Sequence, residues 1–402
     1  MVSEPVVIVG AGIGGLSAAL CLAQRQCPVV VVERFAEVRE VGAGILLGPN
    51  ASRVLYGCGL GEALERVSAP MTRVGIGADR GERFVEKEVE EQADAPFRMV
   101  HRAQLHGVLY EAVIQHPLVE VELGLPVQGF EQDLEARGVR ALGKGLTSRW
   151  GVALVGCDGL HSAVRTQLHP GEVEPVYHGY TCWRGITSTF EHEGFSRGML
   201  LELQGRGLRA GMGYIDEKRV YWWATANAPQ GEHDGEDVIE DLQRRFQAFP
   251  DYFRAMIAAT PPAQVLRNDI FDRPPLKRWG EKNVTLLGDA AHPMAPNLGQ
   301  GACSAIEDAA MLAACLGELW EDGATPQPEE VVASLRRYEA GRQKRTATLQ
   351  RLSRRFGTIG QLEHSLAVWM REQAMRWTPR AILDRQQAAI WDYRVEMDSD
   401  PR

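Results

Sequence analysis

Two separated glycine-rich segments carry the residue types that hold an anionic ligand. Near the N-terminus stands Gly10-Ala11-Gly12-Ile13-Gly14-Gly15, and far downstream Gly288-Asp289-Ala290-Ala291-His292 is followed by Pro296-Asn297-Leu298-Gly299-Gln300-Gly301. Residues 5–9 are an apolar run fit for a buried parallel strand and 16–23 read as a helix, so the first glycines fall on a strand-turn-helix junction. There Gly10 permits the tight turn, Gly12 lets the backbone approach a phosphate, and Gly15 lets the helix pack close on the strand. The N–H groups of the first helical turn have no partners within the helix and face the anion. A second strand over 28–32 ends at Glu33, 18 residues after Gly15, where a carboxylate accepts hydrogen bonds from an adenosine ribose. With strand, helix and acid all in place, a glycine-rich turn without a ligand is the weaker reading. The Gly-Asp pair and the second glycine-rich helix start then describe one long ligand held at both ends, and FAD is the candidate.

Other site chemistries lack their residues. The seven cysteines (Cys21, Cys27, Cys58, Cys157, Cys182, Cys303, Cys315) are scattered, with no Cys-x-x-Cys and no histidines at ligand spacing, which speaks against zinc, a disulfide framework and a redox dithiol. The ten histidines form no His-Glu-x-x-His pattern, so no metal is expected. A chain of 402 residues, 45% apolar and 24% charged, suits two or three globular units. Its net charge of -9 argues against nucleic acid or an anionic membrane as the main partner. Neither a basic leader with an apolar core nor a run of 18 apolar residues is present, so no signal peptide or membrane span is expected and a cytoplasmic location is.

The elements that must position these residues follow from periodicity and turn signals. Residues 1–175 mix short apolar strands with helices, including a helix over 102–115 and a strand over 152–155 that runs into Gly156-Cys157-Asp158-Gly159. Strands over 180–186, 198–203, 208–215 and 219–226 suit an antiparallel sheet inserted between halves of the cofactor domain. After a strand over 284–287, helices are expected over 301–319, 329–356 and 361–393. Their arginines (Arg336, Arg337, Arg342, Arg345, Arg351, Arg354, Arg355) read as a solvated helix face. The expected fold is α/β: a Rossmann-like FAD-binding domain with an inserted antiparallel β-sheet substrate domain and C-terminal helices. The divisions are 1–175 and 267–325 for FAD, 176–266 for substrate, and 326–402 for the helical region.

Three segments together resemble the signatures of the single-component FAD-dependent aromatic hydroxylases, a family that includes salicylate, hydroxybenzoate and urate hydroxylases and zeaxanthin epoxidase. They are Gly10 to Gly15 with Glu33 and Arg34; Gly156-Cys157-Asp158-Gly159-Leu160-His161-Ser162-Ala163-Val164-Arg165; and Gly288 to His292 with Pro296 and Gly299-Gln300-Gly301. The resemblance covers nearly the whole chain, with Cys157 standing where the middle motif usually has a smaller residue. It implies that Asp289 hydrogen-bonds the ribityl chain of FAD and that the N–H groups around Leu298 to Gly301 face the pyrimidine side of the flavin. It also implies that Arg102 reaches the cofactor, that Gly42-Ala43-Gly44-Ile45 lines the flavin as close backbone, and that Val127 and Asp158 belong to the cofactor site. For Asp158 and Arg165 a structural ion pair is the other reading. One dinucleotide fold without a Cys pair implies that NAD(P)H binds transiently. The implied reaction is hydride transfer to FAD, formation of a flavin C4a-hydroperoxide with O2, and transfer of one oxygen atom to a small aromatic, heteroaromatic or polyene substrate. A flavin oxidase or dehydrogenase without oxygen transfer and a non-catalytic FAD-binding protein are the alternatives. A monomer or homodimer is expected.

One hairpin is the candidate substrate wall. If its turn centres on Glu217, then Arg209, Gly211, Gly213, Tyr221, Trp223 and Thr225 project from one face. The spacing of Arg209 and Tyr221 resembles an arginine-tyrosine pair of urate hydroxylases, which makes these two the catalytic candidates: a guanidinium for a substrate anion and a phenol for the ring under attack. Those enzymes carry asparagine where Cys182 stands, which sets urate itself apart. The competing reading is an aromatic sheet core with a surface arginine, which leaves the pocket to residues such as Arg184, Met294 or Pro293.

Overall fold

Runs of β-branched residues set the first layer. Val6–Val9 and Val29–Val32 are buried along their whole length, as suits parallel strands covered on both faces. They form the middle of a parallel sheet ordered Val284–Leu286, Ala153–Gly156, Val6–Val9, Val29–Val32, Val119–Glu122. The small-residue helix Ile13–Gln24 packs against this layer and against the helix Gly301–Gly317, which joins the two glycine-rich segments in one core. These descriptions come from a computed structural model that describes residues 4–37, 43–89, 95–133, 138–144, 146–320 and 326–395.

A seven-stranded sheet lies beside it, ordered Leu266–Asp272, Val176–Ile186, Val220–Asn227, Leu208–Tyr214, Met199–Gln204, Arg73–Ala78, Arg83–Glu88. Its centre is the expected antiparallel insertion. The last two strands come from the segment expected to serve the cofactor domain, and Arg73–Ala78 pairs in parallel with Met199–Gln204, so the sheet is mixed. They cover an edge that would otherwise present unpaired backbone groups. Alternate residues on one face, including Trp183, Leu201, Met212 and Trp222, pack with Phe246 and Phe253 beneath the helices Val238–Arg245 and Asp251–Ala258. The other face turns toward the cofactor layer.

Two expectations for the C-terminal region need correction. The helix expected over 361–393 is two helices, Ser365–Trp377 and Arg380–Trp391. Pro379 lacks the N–H that would continue the ladder, and Thr378 before it is extended at φ -68, ψ 120. The arginines of the long helix Pro328–Gly360 do not share one solvated face. Arg337, Arg351 and Arg355 are exposed, but Arg342 is fully buried against Glu307 (2.6 Å) and Asp308 (2.7 Å). Arg345 also meets Glu307 (2.7 Å), and Arg354 meets the buried Asp272 (2.5 Å). A buried carboxylate demands a partner, and the neighbouring helix supplies it.

Candidate active site

The cofactor wall is built from backbone. Gly10 has φ +105, and a Cβ there would lie 2.6 Å from the Cys157 carbonyl oxygen. A Cβ on Gly15 would lie 1.9 Å from the Gly10 carbonyl oxygen, so only glycine allows the helix to start this close to the strand. At Gly12 a Cβ would meet nothing within 4 Å: the space over the turn is open where a phosphate would approach. Ile13 and Gly14 open the helix, whose N-cap Gly12 offers no side-chain cap, leaving its first N–H groups for an anion. The Glu33 carboxylate accepts from Ala11 N (2.7 Å) and Phe35 N (3.0 Å), which fixes it beside the glycine turn with acceptor capacity to spare. Arg34 is exposed with its guanidinium over the Phe35 ring. Val127 opens the strand Val127–Asp133, two residues after Leu125, whose N–H donates to the Glu33 carbonyl (2.8 Å).

The second glycine segment packs beside the first: a Cβ on Gly14 would lie 3.0 Å from Leu287 and 3.2 Å from Ala305. Pro296–Leu298 forms a tight turn, Gly299 adopts the left-handed conformation at φ 62, and Gln300 precedes the helix that begins at Gly301 without a side-chain bond to its first N–H groups. Asp289 is accessible beside this helix start, with one carboxylate oxygen 4.0 Å from where a Gly301 Cβ would stand. Desolvation by the surrounding protein raises its pKa, against the pull of His292 and Arg102. Arg102 N donates to the Ala43 carbonyl (2.9 Å), tying the helix Arg102–Gln115 to the start of Gly44–Leu47. Gly42 lies outside the described residues. Gln104 Oε1, Asp158 Oδ1 and Gln300 Nε2 are buried without a hydrogen-bond partner in the structure, as groups awaiting a polar ligand are. The open turn, two uncapped helix starts, Asp289 and these orphaned atoms fit FAD.

Asp158 and Arg165 do not pair with each other. Asp158 Oδ2 accepts from Ala163 N (2.7 Å) and Val164 N (3.3 Å), the donors a helix start puts nearest to it. Arg165 is buried, bonds Glu172 (2.7 Å), and donates to the carbonyls of Ala290 (2.9 Å) and Ala291 (3.1 Å). It thereby clamps the middle motif to the Gly-Asp segment.

The sheet wall is built from side chains. Register pairs Arg209 with Thr225, Gly211 with Trp223 and Gly213 with Tyr221, so the six residues share one face as the turn at Glu217 predicts. The Tyr221 ring lies over Gly44, where a Cβ would come within 2.3 Å of it, and the Trp223 ring fills the space left by Gly211. Burial pushes the Tyr221 phenol well above its ordinary value, against the pull of the nearby Arg184 charge. Arg184 donates to Asn268 Oδ1 (3.0 Å), and no carboxylate lies within ion-pair distance of it among the described residues. Arg209 differs. It is buried, its charge is balanced by two bonds to Glu202 (3.1 and 3.0 Å), and it donates to Asn297 Oδ1 (2.6 Å). Asn297 in turn donates to Tyr180 OH (3.0 Å) and the Ser353 carbonyl (2.9 Å). The Arg209 network therefore ends on the turn that sets the Gly301 helix start.

Glu202, Tyr180, Asn268 and the pair His292–Asp308 (2.5 Å) escaped sequence reasoning as site residues. For Glu202 a signal existed, since it stands on the same sheet face opposite Gly211. Burial alone would raise the Asp308 carboxyl, but His292 and Arg342 outweigh it and hold it at about 2. No group of three or more potential metal ligands occurs among the described residues.

The comparisons with known proteins agree with this geometry. The sequence profile of the family described as FAD binding domain matches residues 3–352. The aurachin C monooxygenase/isomerase of Stigmatella aurantiaca is 38% identical over 374 residues, covering 92% of this chain and 93% of that protein. The FAD-dependent urate hydroxylase of Klebsiella pneumoniae subsp. pneumoniae is 31% identical over 350 residues, covering 85% and 87%. The crystal structure of Klebsiella pneumoniae HpxO complexed with FAD and uric acid superposes with a TM-score of 0.85 at 28% identity, over 96% of each chain. The chain belongs to the FAD-binding family of single-component flavin monooxygenases and uses FAD as its cofactor.

Proposed function

We propose that the substrate is a flat aromatic or heteroaromatic ring bearing an acidic or phenolic oxygen, that NAD(P)H supplies the electrons, and that Tyr221 and Arg184 hold the ring while it is hydroxylated. The observation that carries this reading is the Tyr221 ring on Gly44, which brings phenol, indole and an uncompensated guanidinium together over the strand that lines the flavin site. Bound FAD supplies the oxygen activation. Tyr221 and Trp223 form a dry wall against which a ring stacks. Arg184 offers a planar donor to a substrate anion, and the Tyr221 phenol, kept protonated by its surroundings, donates to an oxygen on the ring. Arg209 acts as a positioning residue through Asn297 rather than by holding the anion itself, because Glu202 already balances its charge. Cys182 stands buried beside Asn268 on the neighbouring strand, so a smaller, less polar surface meets the substrate there than an asparagine would give.

The test is a screen of phenolic, purine and quinoline ligands, with carboxylated, neutral and polyene controls, for stimulated NAD(P)H consumption and for oxygenated product. Ligands with an acidic oxygen should stimulate turnover and lose most of that effect in Arg184→Ala. Stimulation by neutral polyenes that is untouched by Arg184→Ala would overturn the substrate class.

A further inference from the structure

The helix Ser365–Trp377 is built inside out. Its buried side chains include Arg371 and Glu372, whereas Leu366 (57% exposed), Trp369 (57%), Met370 (52%) and Trp377 (81%) point to solvent. At roughly 100° per residue these four fall within an arc of roughly 100°. The last turns of the preceding helix add Phe356 and Ile359 to the same stretch of chain, and Ile382 follows on the next helix. Seven of the eleven exposed large apolar side chains among the described residues lie between positions 356 and 382. Isolated exposed apolar residues need no explanation, but a concentration like this marks a contact surface.

The charge of the same stretch selects the partner. Residues 351–385 hold seven arginines and three carboxylates, within a chain whose net charge is -9. Arg351, Arg355 and Arg385 are exposed. An apolar stripe that includes two tryptophans, with exposed arginines on the helices before and after it, has the composition of a segment that lies in a lipid-water interface. A second copy of the chain would bring arginines against arginines, whereas an anionic lipid surface complements both the stripe and its rim. No helix among the described residues is long and apolar enough to cross a membrane, so the contact is with the surface. The same helix end faces the substrate side inward: the space beside Gly357 is filled by Asn297 and that beside Gly360 by Arg209. We propose that the outward face of Ser365–Trp377, with the end of Pro328–Gly360, docks the enzyme on anionic membrane surfaces. The chain-wide negative charge conceals this, because charge acts locally over about a Debye length.

The experiment is co-sedimentation of the full-length, FAD-loaded protein with phosphatidylcholine vesicles, with and without phosphatidylglycerol. Binding to the anionic vesicles is expected, with a loss as salt rises. The double variant Trp369→Ser/Trp377→Ser should abolish it, and Arg351→Glu/Arg355→Glu should weaken it by at least ~10-fold. FAD content and the basal rate of NAD(P)H oxidation should stay as in the parent, which shows that both variants are folded. Failure to bind either vesicle would overturn the proposal, as would binding that ignores both variants. A concentration-dependent dimer that the tryptophan variant dissociates, without vesicle binding, would reassign the face to contact between copies.

Discussion

The two surfaces proposed for cofactor and substrate are made of different material. On the cofactor wall the contacts are backbone: the turn at Gly10 and Gly12, the close strand at Gly44, and the helix starts at Ile13 and Gly301. On the sheet wall they are side chains: Tyr221 and Trp223 as rings, Arg184 as a cation, and Glu202, Arg209 and Asn297 as a chain of hydrogen bonds. Backbone donors at a helix start recognise a phosphate or a flavin edge whatever residues flank them. Side chains on alternate strand positions can be exchanged singly without moving the sheet, so that wall can specialise. The two sides touch at Tyr221 over Gly44 and at Arg209 bonded to Asn297.

This contrast can be broken most severely at two neighbouring glycines. Gly15→Ala places a Cβ 1.9 Å from a carbonyl oxygen of its own turn, so the first layer should fail to form and no soluble yellow protein should be recovered. Gly12→Val puts its Cβ into open space, so the apo protein should melt as the parent does while FAD affinity falls by about 3 kcal/mol, on the order of a hundredfold. Thermal melting of apo protein beside an FAD titration separates the two. Parent-like FAD affinity in Gly12→Val would remove the phosphate from that turn.

Next in size is the buried charge cluster behind the cofactor wall. The folded pKa of Asp308, about 2, lies below that of an ordinary carboxylate, so its ionised form stabilises the fold at pH above about 4, and that contribution disappears as pH falls toward 2. Asp308→Asn should therefore cost roughly 2 to 3 kcal/mol at neutral pH, with the difference from the parent shrinking in acid. Denaturant melts at several pH values measure it, and a cost that persists unchanged at pH 2 would deny the carboxylate its role.

The two arginines of the sheet wall give a smaller, sharper contrast. Arg184→Ala should weaken substrate binding by roughly 1.5 to 3 kcal/mol and leave FAD in place. Arg209→Ala should disturb both, because Glu202 loses its partner and Asn297 its anchor beside the Gly301 helix start. Equal losses of substrate affinity with full flavin occupancy in both variants would return Arg209 to the direct role that its spacing with Tyr221 suggests.

Much of the cofactor wall was legible because its chemistry is local. A strand, three glycines and Glu33 are readable from a few adjacent residues, and the structure keeps their order and spacing. The hairpin register was also legible, since a turn at Glu217 and the two-residue period determine which residues face together. What escaped depends on distant partners. Arg342 stands on the apolar stripe of Leu335, Tyr338 and Leu349 and Arg351 half a turn away from it, so the helical period separates them; what the period does not supply is Glu307 and Asp308, the partners on another helix that let a guanidinium stay buried on that stripe. The pairing of Arg209 with Glu202 needs a third strand, and that of Asn297 with Tyr180 joins residues 117 positions apart. The break at Pro379 was written in the sequence, in the proline that cannot continue a helix.

The most direct test of a cofactor wall and a substrate wall with separate tasks is Tyr221→Phe. This change keeps the ring on Gly44 and removes only the phenol oxygen. The measurement is oxygenated product formed per NAD(P)H consumed, with flavin occupancy determined on the same sample. Parent-like FAD content with a clear fall in coupling is the predicted result. Unchanged coupling, or loss of FAD, would contradict the assignment of Tyr221 to the reacting ring.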